Sequence, residues 1–344
     1  MAALAEAHRL ELVELRHVDA RRLEDLLREE SAAWDRRLHW DFGPSASQIS
    51  HHAAMRALDG LALVAGDEVA GYAYWVHEGR KALIGDLYVR DQWRSSETES
   101  LLLRGAMQAL RELPDYSSTL SLTAPLLQMA PRRQPWINRI EAQLLQTASP
   151  AAQLISNDPG LEIYPRLFML TSLDHAALEA PYDAPAGVRF ERWSMRWIDE
   201  AAALIASVYR GHIDSEINDQ YRSIEGARRF MQNIVQYPGC GVFQPDSSWI
   251  VFAPSGEAVA LLLATRLSSA SGHIAQICVE PDWQGSGTGR EMMRRTLAGL
   301  CRAGMREASL TVTERNTRAI AMYRRFQFRT IHRFDAMVWN NGTR

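Results

Sequence analysis

The chain repeats itself, and a repeat constrains a fold more than any single motif because each copy must be one self-similar unit. "IGDLYVRDQWRSSETESLLL" (84–103) lies over "IAQICVEPDWQGSGTGREMM" (274–293) without a gap, with Ile84 on Ile274, Val89 on Val279, Trp93 on Trp283, Ser96 on Ser286 and Thr98 on Thr288. The flanks agree. Each block follows two apolar runs broken by turn residues, "LALVAGDEVAGYAYWV" and "SWIVFAPSGEAVALLLATRL", which read as hairpins. Each precedes an amphipathic helical pattern, "LLLRGAMQALREL" and "MMRRTLAGLCRAGM", and then a short strand, "STLSLTA" and "EASLTVT". The expectation is two copies of one α/β unit, residues 1–173 and 187–344, joined by a linker over 174–186, where Pro181, Pro185 and the following Gly187 break periodicity.

Composition narrows the setting. With 47% hydrophobic and 23% charged residues the chain is neither disordered nor fibrous, and a formal charge of −3 argues against general nucleic-acid binding, which draws on a basic surplus. Cys240, Cys278 and Cys301 are too few and scattered for a disulfide framework and sit in no metal-ligand spacing, so no metal is expected. No apolar run approaches the roughly 18 residues of a membrane span, and the N-terminus has no secretory pattern. A soluble, cytoplasmic protein with no membrane partner is expected.

The copies differ where it matters. Gly285, Gly287 and Gly289 of the second are Ser95, Glu97 and Glu99 in the first. A strand, a glycine turn and a helix start form a nest of backbone N–H groups suited to phosphate, whereas two carboxylates there repel it. The spacing fits neither the Walker A pattern, since no lysine follows, nor the dinucleotide fingerprint, since this turn reads GxGxG after several strands.

In context the turn resembles the GNAT acetyltransferase superfamily. Gln284, Gly287 and Gly289 fill that family's Gln/Arg-x-x-Gly-x-Gly/Ala signature, with Val279 and Pro281 as the preceding Val-x-Pro. "NTRAIAMYRRFQF" fills its Asn-x-x-Ala-x-x-x-Tyr signature with Asn316, Ala319, Tyr323 and Phe328; Gln327 departs, standing where glycine is usual. The resemblance implies two tandem GNAT folds, each a mixed, mostly antiparallel central sheet flanked by helices. The first copy is degenerate and non-catalytic, because the stretch "RRQPWINRIEAQLLQTASP", taken as its counterpart to the Asn-to-Tyr helix, lacks both Asn and Tyr at the matching places.

The resemblance further implies acetyl-CoA as co-substrate, its pyrophosphate on the amides from Gly285 through Thr288 and Gly289 to Arg290, and its pantetheine arm along Ile277 and Val279 as an added strand. Tyr323 is then the general acid at the coenzyme sulfur, although a helical tyrosine is by default packing. Asn316 is both a candidate N-cap and a candidate partner of the pantetheine arm. His273, six residues before Val279, holds the place of a general base in several family members; the competing reading is a solvent-facing strand start. Gln276 can orient substrate but cannot act as a base.

"YRGHIDSEINDQYRSIEGARRF" is expected to line the acceptor pocket, with Asp214, Glu216 and Asp219 steering a cationic amine and His212 as a reserve base, or else to be a solvated loop with helix caps. The activity implied is transfer of an acyl group to a primary amine, on a small molecule or on a protein or peptide, by direct attack on the thioester. The alternatives are a regulatory module that binds acyl-CoA without turnover, and an aminoacyl or peptidyl transferase of tandem type.

Overall fold

A computed structural model describes residues 10–113, 137–155, 158–174, 186–237 and 239–341. In chain order the strands and helices are β1 (Leu10–Glu14), α1 (Glu24–Leu38), α2 (Gly43–Ala54), β2 (Gly60–Ala65), β3 (Glu68–Glu78), β4 (Lys81–Val89), α3 (Ser96–Glu112), β5 (Arg139–Leu144), α4 (Ala151–Leu154) and β6 (Leu161–Ser172). Next come β7 (Arg189–Arg192), α5 (Ile198–Val208), α6 (Ile213–Ile217), α7 (Ile224–Gln236), β8 (Val242–Phe243), β9 (Trp249–Phe252) and β10 (Ala258–Arg266). The chain closes with β11 (Ser271–Val279), α8 (Thr288–Arg302), β12 (Glu307–Thr313), α9 (Thr317–Arg325) and β13 (Arg329–Asn340). They form two compact units. One comprises Met1–Glu30, Ala46–Tyr164 and Phe334–Arg344, the other Ser31–Ser45 and Pro165–Arg333.

The expected cut between 173 and 187 does not describe this division. In the first unit β1, β2, β3 and β4 run antiparallel in sequence order, β5 joins β4 in parallel, and Asp335–Asn340 of the last strand close on β5 in antiparallel register. In the second unit β7, β9, β10 and β11 are antiparallel, β12 joins β11 in parallel, and Arg166–Ser172 of β6 close on β12. Each unit therefore takes its closing strand from the other repeat's stretch of sequence. Both closing strands are apolar and antiparallel to their neighbours, so sequence pattern alone cannot distinguish the exchanged pairing from the unexchanged one.

A second correction concerns the first repeat. Residues 139–144, read as the counterpart of the Asn-to-Tyr helix, are strand β5, and it is β5 that holds the place of β12. "STLSLTA", expected to be that strand, and residues 175–185 of the expected linker lie outside the described residues. After β5 the chain forms α4, a helix of 4 residues, where the second repeat has the 9-residue α9.

The two units share one device. β11 pairs with β12 over Ser271–Ile274 and then parts from it; β4 pairs with β5 over Lys81–Ile84 and then parts. At the parting each strand carries a bulge. Leu263 faces Gln276 and Ala264 faces Ile274, which leaves Ala275 extra; Tyr74 faces Asp86 and Trp75 faces Ile84, which leaves Gly85 extra. Gly85 and Ala275 are the same position in the repeat. A bulge re-aims the strand beyond it, here opening a cleft between strands that are paired up to the residue before it.

Layers hold the cleft in place. Along β10, Ala260, Leu262 and Ala264 pack with Met292, Met293 and Leu297 of α8 and Tyr323 of α9, while Leu261 and Leu263 pack with Ala201 and Ile205 of α5 and Met231 of α7. A strand covered on both faces needs apolar side chains on both, which explains the unbroken run "AVALLLA".

Candidate active site

The turn after β11 is built to leave a helix end bare. Gly285 (φ +86°) and Gly287 (φ +95°) occupy the left-handed region that other residues enter only at a cost of about 1–2 kcal/mol. Gly287 is the N-cap of α8 and brings no side chain to cap it. The helix therefore presents its first N–H groups and the positive end of its dipole with no N-cap side chain, and the acid of its first turn, Glu291, is paired with Arg294 and Arg295, an arrangement suited to a phosphate. Gly289 serves differently: a Cβ there would stand 3.1 Å from Val279 Cγ2, so this glycine lets α8 lie close against the end of β11. Gln284 fastens the turn by donating from Nε2 to the Val279 carbonyl at 2.9 Å, and Arg318 of α9 bonds its Oε1. Thr288 is buried, its hydroxyl 2.9 Å from Ser286 Oγ, so only its main chain serves a ligand; Arg290 is half-buried in the same first turn.

The first unit has the same turn with the bare end filled. Arg94 takes the place of Gln284, donating from Nε and Nη2 to the Val89 carbonyl at 3.1 and 2.7 Å. Ser95 caps α3 by accepting from Thr98 N at 3.2 Å. Glu97 bonds its own backbone N–H and the Ser95 and Ser96 side chains, which hold its carboxyl below the ordinary range. Glu99, at the position of Gly289, is buried and accepts from Ala148 N at 2.7 Å and Ser149 N at 3.0 Å. The parting of its strands is occupied as well: a Cβ on Gly85 would fall 2.3 Å from the Tyr74 ring, and buried Asp86 and Glu30 sit there, Tyr72 donating to Glu30 at 2.8 Å.

In the second unit the parting is lined by polar groups. Gln276, next to the bulge and buried, accepts from the Tyr221 hydroxyl at 3.2 Å and donates to the Tyr209 hydroxyl at 3.1 Å, which in turn donates to the Ile277 carbonyl at 3.2 Å. The Tyr209 and Tyr221 rings stack at 4.4 Å. The carbonyls of Ile277 and Val279, the two residues expected to pair with a pantetheine arm, are thus both already met by side chains, each with one lone pair left over. Asp214 of α6 accepts from the Thr313 hydroxyl at 2.5 Å, which ties that helix to the far side of the parting.

Tyr323 lies in the α8–α9 core and its hydroxyl makes no hydrogen bond to a described residue. Burial, and then the Asp214 carboxylate, push its phenol well above the ordinary tyrosine range, with Arg166 opposing, so the proton stays on at neutral pH. Packing and a proton-donor role coexist here. Asn316 caps α9, accepting from Ala319 N at 3.1 Å, and Gln327, where glycine was expected, adopts φ +59°.

His273 does not face solvent. It is 5% exposed, its ring stacked near Phe168 (6.0 Å) and in tilted contact with Trp40 (5.8 Å). Its Nδ1 lies 2.9 Å from Ser309 Oγ, and the Ser309 hydroxyl donates to the Gly272 carbonyl at 3.1 Å. A hydroxyl has one proton, so the tautomer that satisfies both contacts carries hydrogen on Nδ1 and leaves the lone pair on Nε2. Burial, followed by the nearby Arg166 charge, pushes the imidazole pKa down to about 4. Such a ring is neutral at pH 7 and a hydrogen-bond acceptor rather than a strong base.

The acceptor-side expectations divide. His212 caps α6, its Nδ1 accepting from Asp214 N at 3.1 Å, so that lone pair is committed and the residue is not a base in this arrangement. Glu216 pairs with Arg222 at 2.7 Å at the rim of a cleft of about 370 Å³ bordered by Tyr209 and Ser215. Asp219 starts a short 3-10 turn capped by Asn218, the turn that carries Tyr221 to Gln276. Of the three acids, Asp214 is the one bonded to the parting strands. Thr313, Ser309, Arg166 and Trp40 carried no motif; only the closing of strands around them shows what they touch.

Parallel strands that part at a bulge, beside a glycine turn opening a bare helix end, define the GNAT class of fold. Residues 212–328 match the model of the acetyltransferase (GNAT) family. A GCN5-related N-acetyltransferase from Sphaerobacter thermophilus is similar in structure, with a TM-score of 0.64 at 16% identity over 96% of this chain and 95% of that one. A tandem GNAT protein from the clavulanic acid biosynthesis pathway gives 0.60 at 15% identity over 98% and 100%. A GNAT acetyltransferase from Colwellia psychrerythraea gives 0.51 at 10% over 96% and 100%. These likenesses are of fold, and they extend it across the first repeat. Comparison with curated protein sequences returns no match. Among the described residues no group of side chains is arranged to hold a metal, and no helix is long and apolar enough to cross a membrane.

Proposed function

We propose that the chain is an acetyl-CoA-dependent N-acetyltransferase whose second unit transfers the acyl group to a primary amine, in the cytoplasm. The observation that carries this reading is the contrast at one repeat position: α8 begins without a side-chain cap behind Gly285 and Gly287, and α3 begins with the Ser95 cap and the Glu97 carboxylate at its first N–H groups. Gly285, Gly287 and the N–H groups of Thr288, Gly289 and Arg290 fit the pyrophosphate, and the edge of β11 at Ile277 and Val279 fits the pantetheine arm. Asn316, its oxygen committed to the α9 cap, has its amide N–H₂ for that arm.

The amine attacks the thioester carbonyl in the parting; the C–N bond forms as C–S breaks, Tyr323 gives its proton to the departing sulfur, and the proton lost by nitrogen restores the phenol through solvent. Asp214 favours a cationic amine at the mouth. His273 Nε2 accepts a hydrogen bond from the incoming N–H and orients the nitrogen lone pair; with a pKa near 4 it does not hold the proton against an amine near 10, a gap of roughly 8 kcal/mol. The acceptor is a small molecule or a protein or peptide amine. The first unit binds no coenzyme. The test is thiol release with acetyl-CoA across an amine panel, run beside Gly287→Glu: no release with any amine, or equal release from the variant, defeats the reading.

A further inference from the structure

Ser31–Ser45 is first-repeat sequence, yet it belongs to the second unit. Two polar ties fix it there. Asp41 N donates to the Leu267 carbonyl at 3.1 Å, at the turn between β10 and β11, and His39 Nδ1 meets Glu307 Oε1 at 2.6 Å, at the start of β12. Between these ties stands Trp40, 9% exposed, its ring backed edge-on by Trp34 at 5.1 Å; Trp34 in turn stacks on Phe42 at 5.0 Å. The block ends on the His273 ring, which Phe168 also stacks against.

We propose that Trp40 is the positioning residue of His273, closing the imidazole off from water so that it keeps one tautomer, Nδ1–H on Ser309 and the lone pair on Nε2. The catalytic consequence rests on the transferase reading above; the closure itself does not. The neighbours leave little else to do the work. β12 offers Ser309, β10 offers Thr265 in register, and β6 offers Phe168 and the Arg166 guanidinium, whose charge opposes protonation in the same sense as dryness. On the Trp40 segment the nearest ionisable side chain, His39, is engaged by Glu307, and Asp41 bonds Gly43 N at 2.9 Å. Removing the indole admits water, and the ring regains part of its affinity for a proton and its freedom of tautomer.

The measurement is NMR titration of the histidine Cε1–H resonances, with His273 assigned by its loss in His273→Gln. His273 of the wild type is expected to show no midpoint between pH 5 and 8. In Trp40→Ala the midpoint rises by at least one pH unit, and in Trp40→Phe it stays low. A wild-type midpoint near 6.5, or an unmoved midpoint in Trp40→Ala, overturns the proposal. Should Trp40→Ala not fold, carbethoxylation of the wild type decides, mapped residue by residue over the 10 histidines. His273 is expected to react slowest, and a rate like that of exposed His51 overturns the closure. Thiol release judges the transferase reading separately. If that reading holds, Trp40→Ala lowers kcat at least tenfold with CoA affinity unchanged and Trp40→Phe restores it; unchanged kcat removes Trp40 from the mechanism whatever the titration shows.

Discussion

Gln284 donates to the carbonyl of Val279 at 2.9 Å and so ties the glycine turn to the strand that would carry the pantetheine arm. In the first unit Arg94 makes the matching bond to Val89, so the tie is present with or without the glycines beside it. The anion site thus depends on what stands beside the tie, namely glycines with positive φ in one unit and carboxylates in the other.

Gly287→Glu places a side chain at φ +95° and a negative charge at the helix end. CoA affinity measured by calorimetry is expected to fall at least 100-fold, with a stability loss of about 1–2 kcal/mol. Wild-type stoichiometry is expected to be one CoA per chain; two would show that the first unit binds as well.

Tyr323→Phe removes the proton donor and keeps the ring in the core. A fall in kcat of about 10²-fold is expected, with little change in KM for the thioester or in melting temperature. Unchanged kcat would leave Tyr323 with packing alone.

His273 sets a pH dependence of stability whose sign follows from its lowered pKa. The unfolded imidazole, near 6.5, binds protons that the folded one, near 4, does not, so its contribution is complete above 6.5 and is lost as pH falls toward 4. Denaturant midpoints between pH 4 and 7 are expected to show a shallower loss in His273→Gln than in wild type, on the order of a few kcal/mol over that range. Parallel curves would refute the assignment.

Asp86 behaves oppositely. Burial raises its carboxyl to about 6, so the native state holds a proton that the unfolded state, near 3.8, gives up, and stability declines as pH rises through this window. Asp86→Asn keeps an oxygen for the Leu87 N–H, bonded at 2.8 Å, and removes the titration. It is expected to raise the melting temperature at pH 8 and to change it little at pH 4; a gain confined to pH 4 would reverse the reading.

Gln327→Gly relieves the left-handed backbone after α9 and is expected to stabilise by about 0.5–1 kcal/mol, read from chemical denaturation. A loss of stability would mean that the glutamine side chain compensates for its backbone.

What the sequence showed depended on how local the cause was. Both hairpins, the helices α3 and α8 and the Asn316 cap are set by patterns a few residues long, and they stand where periodicity and capping chemistry put them. The glycine contrast was legible because it is a property of backbone dihedrals. The strand identity of 139–144 was not, because the repeat register drifts across the longer stretch after α3 and no gapless comparison reaches it. Nor was the contact of His273 with Trp40 and Phe168: those rings come from stretches more than a hundred residues away, both of them inside the other repeat, and no spacing rule joins them.

The exchanged closing strands have a consequence for how the molecule is made. Asp335–Asn340, which complete the sheet of the first unit beside β5, are translated at the end of the second repeat. A nascent chain usually finishes its leading domain while the ribosome works on the next. Here the leading unit waits with β5 as an open edge until the last strand emerges, so the two repeats mature together and a gene cut between them yields two unfinished halves.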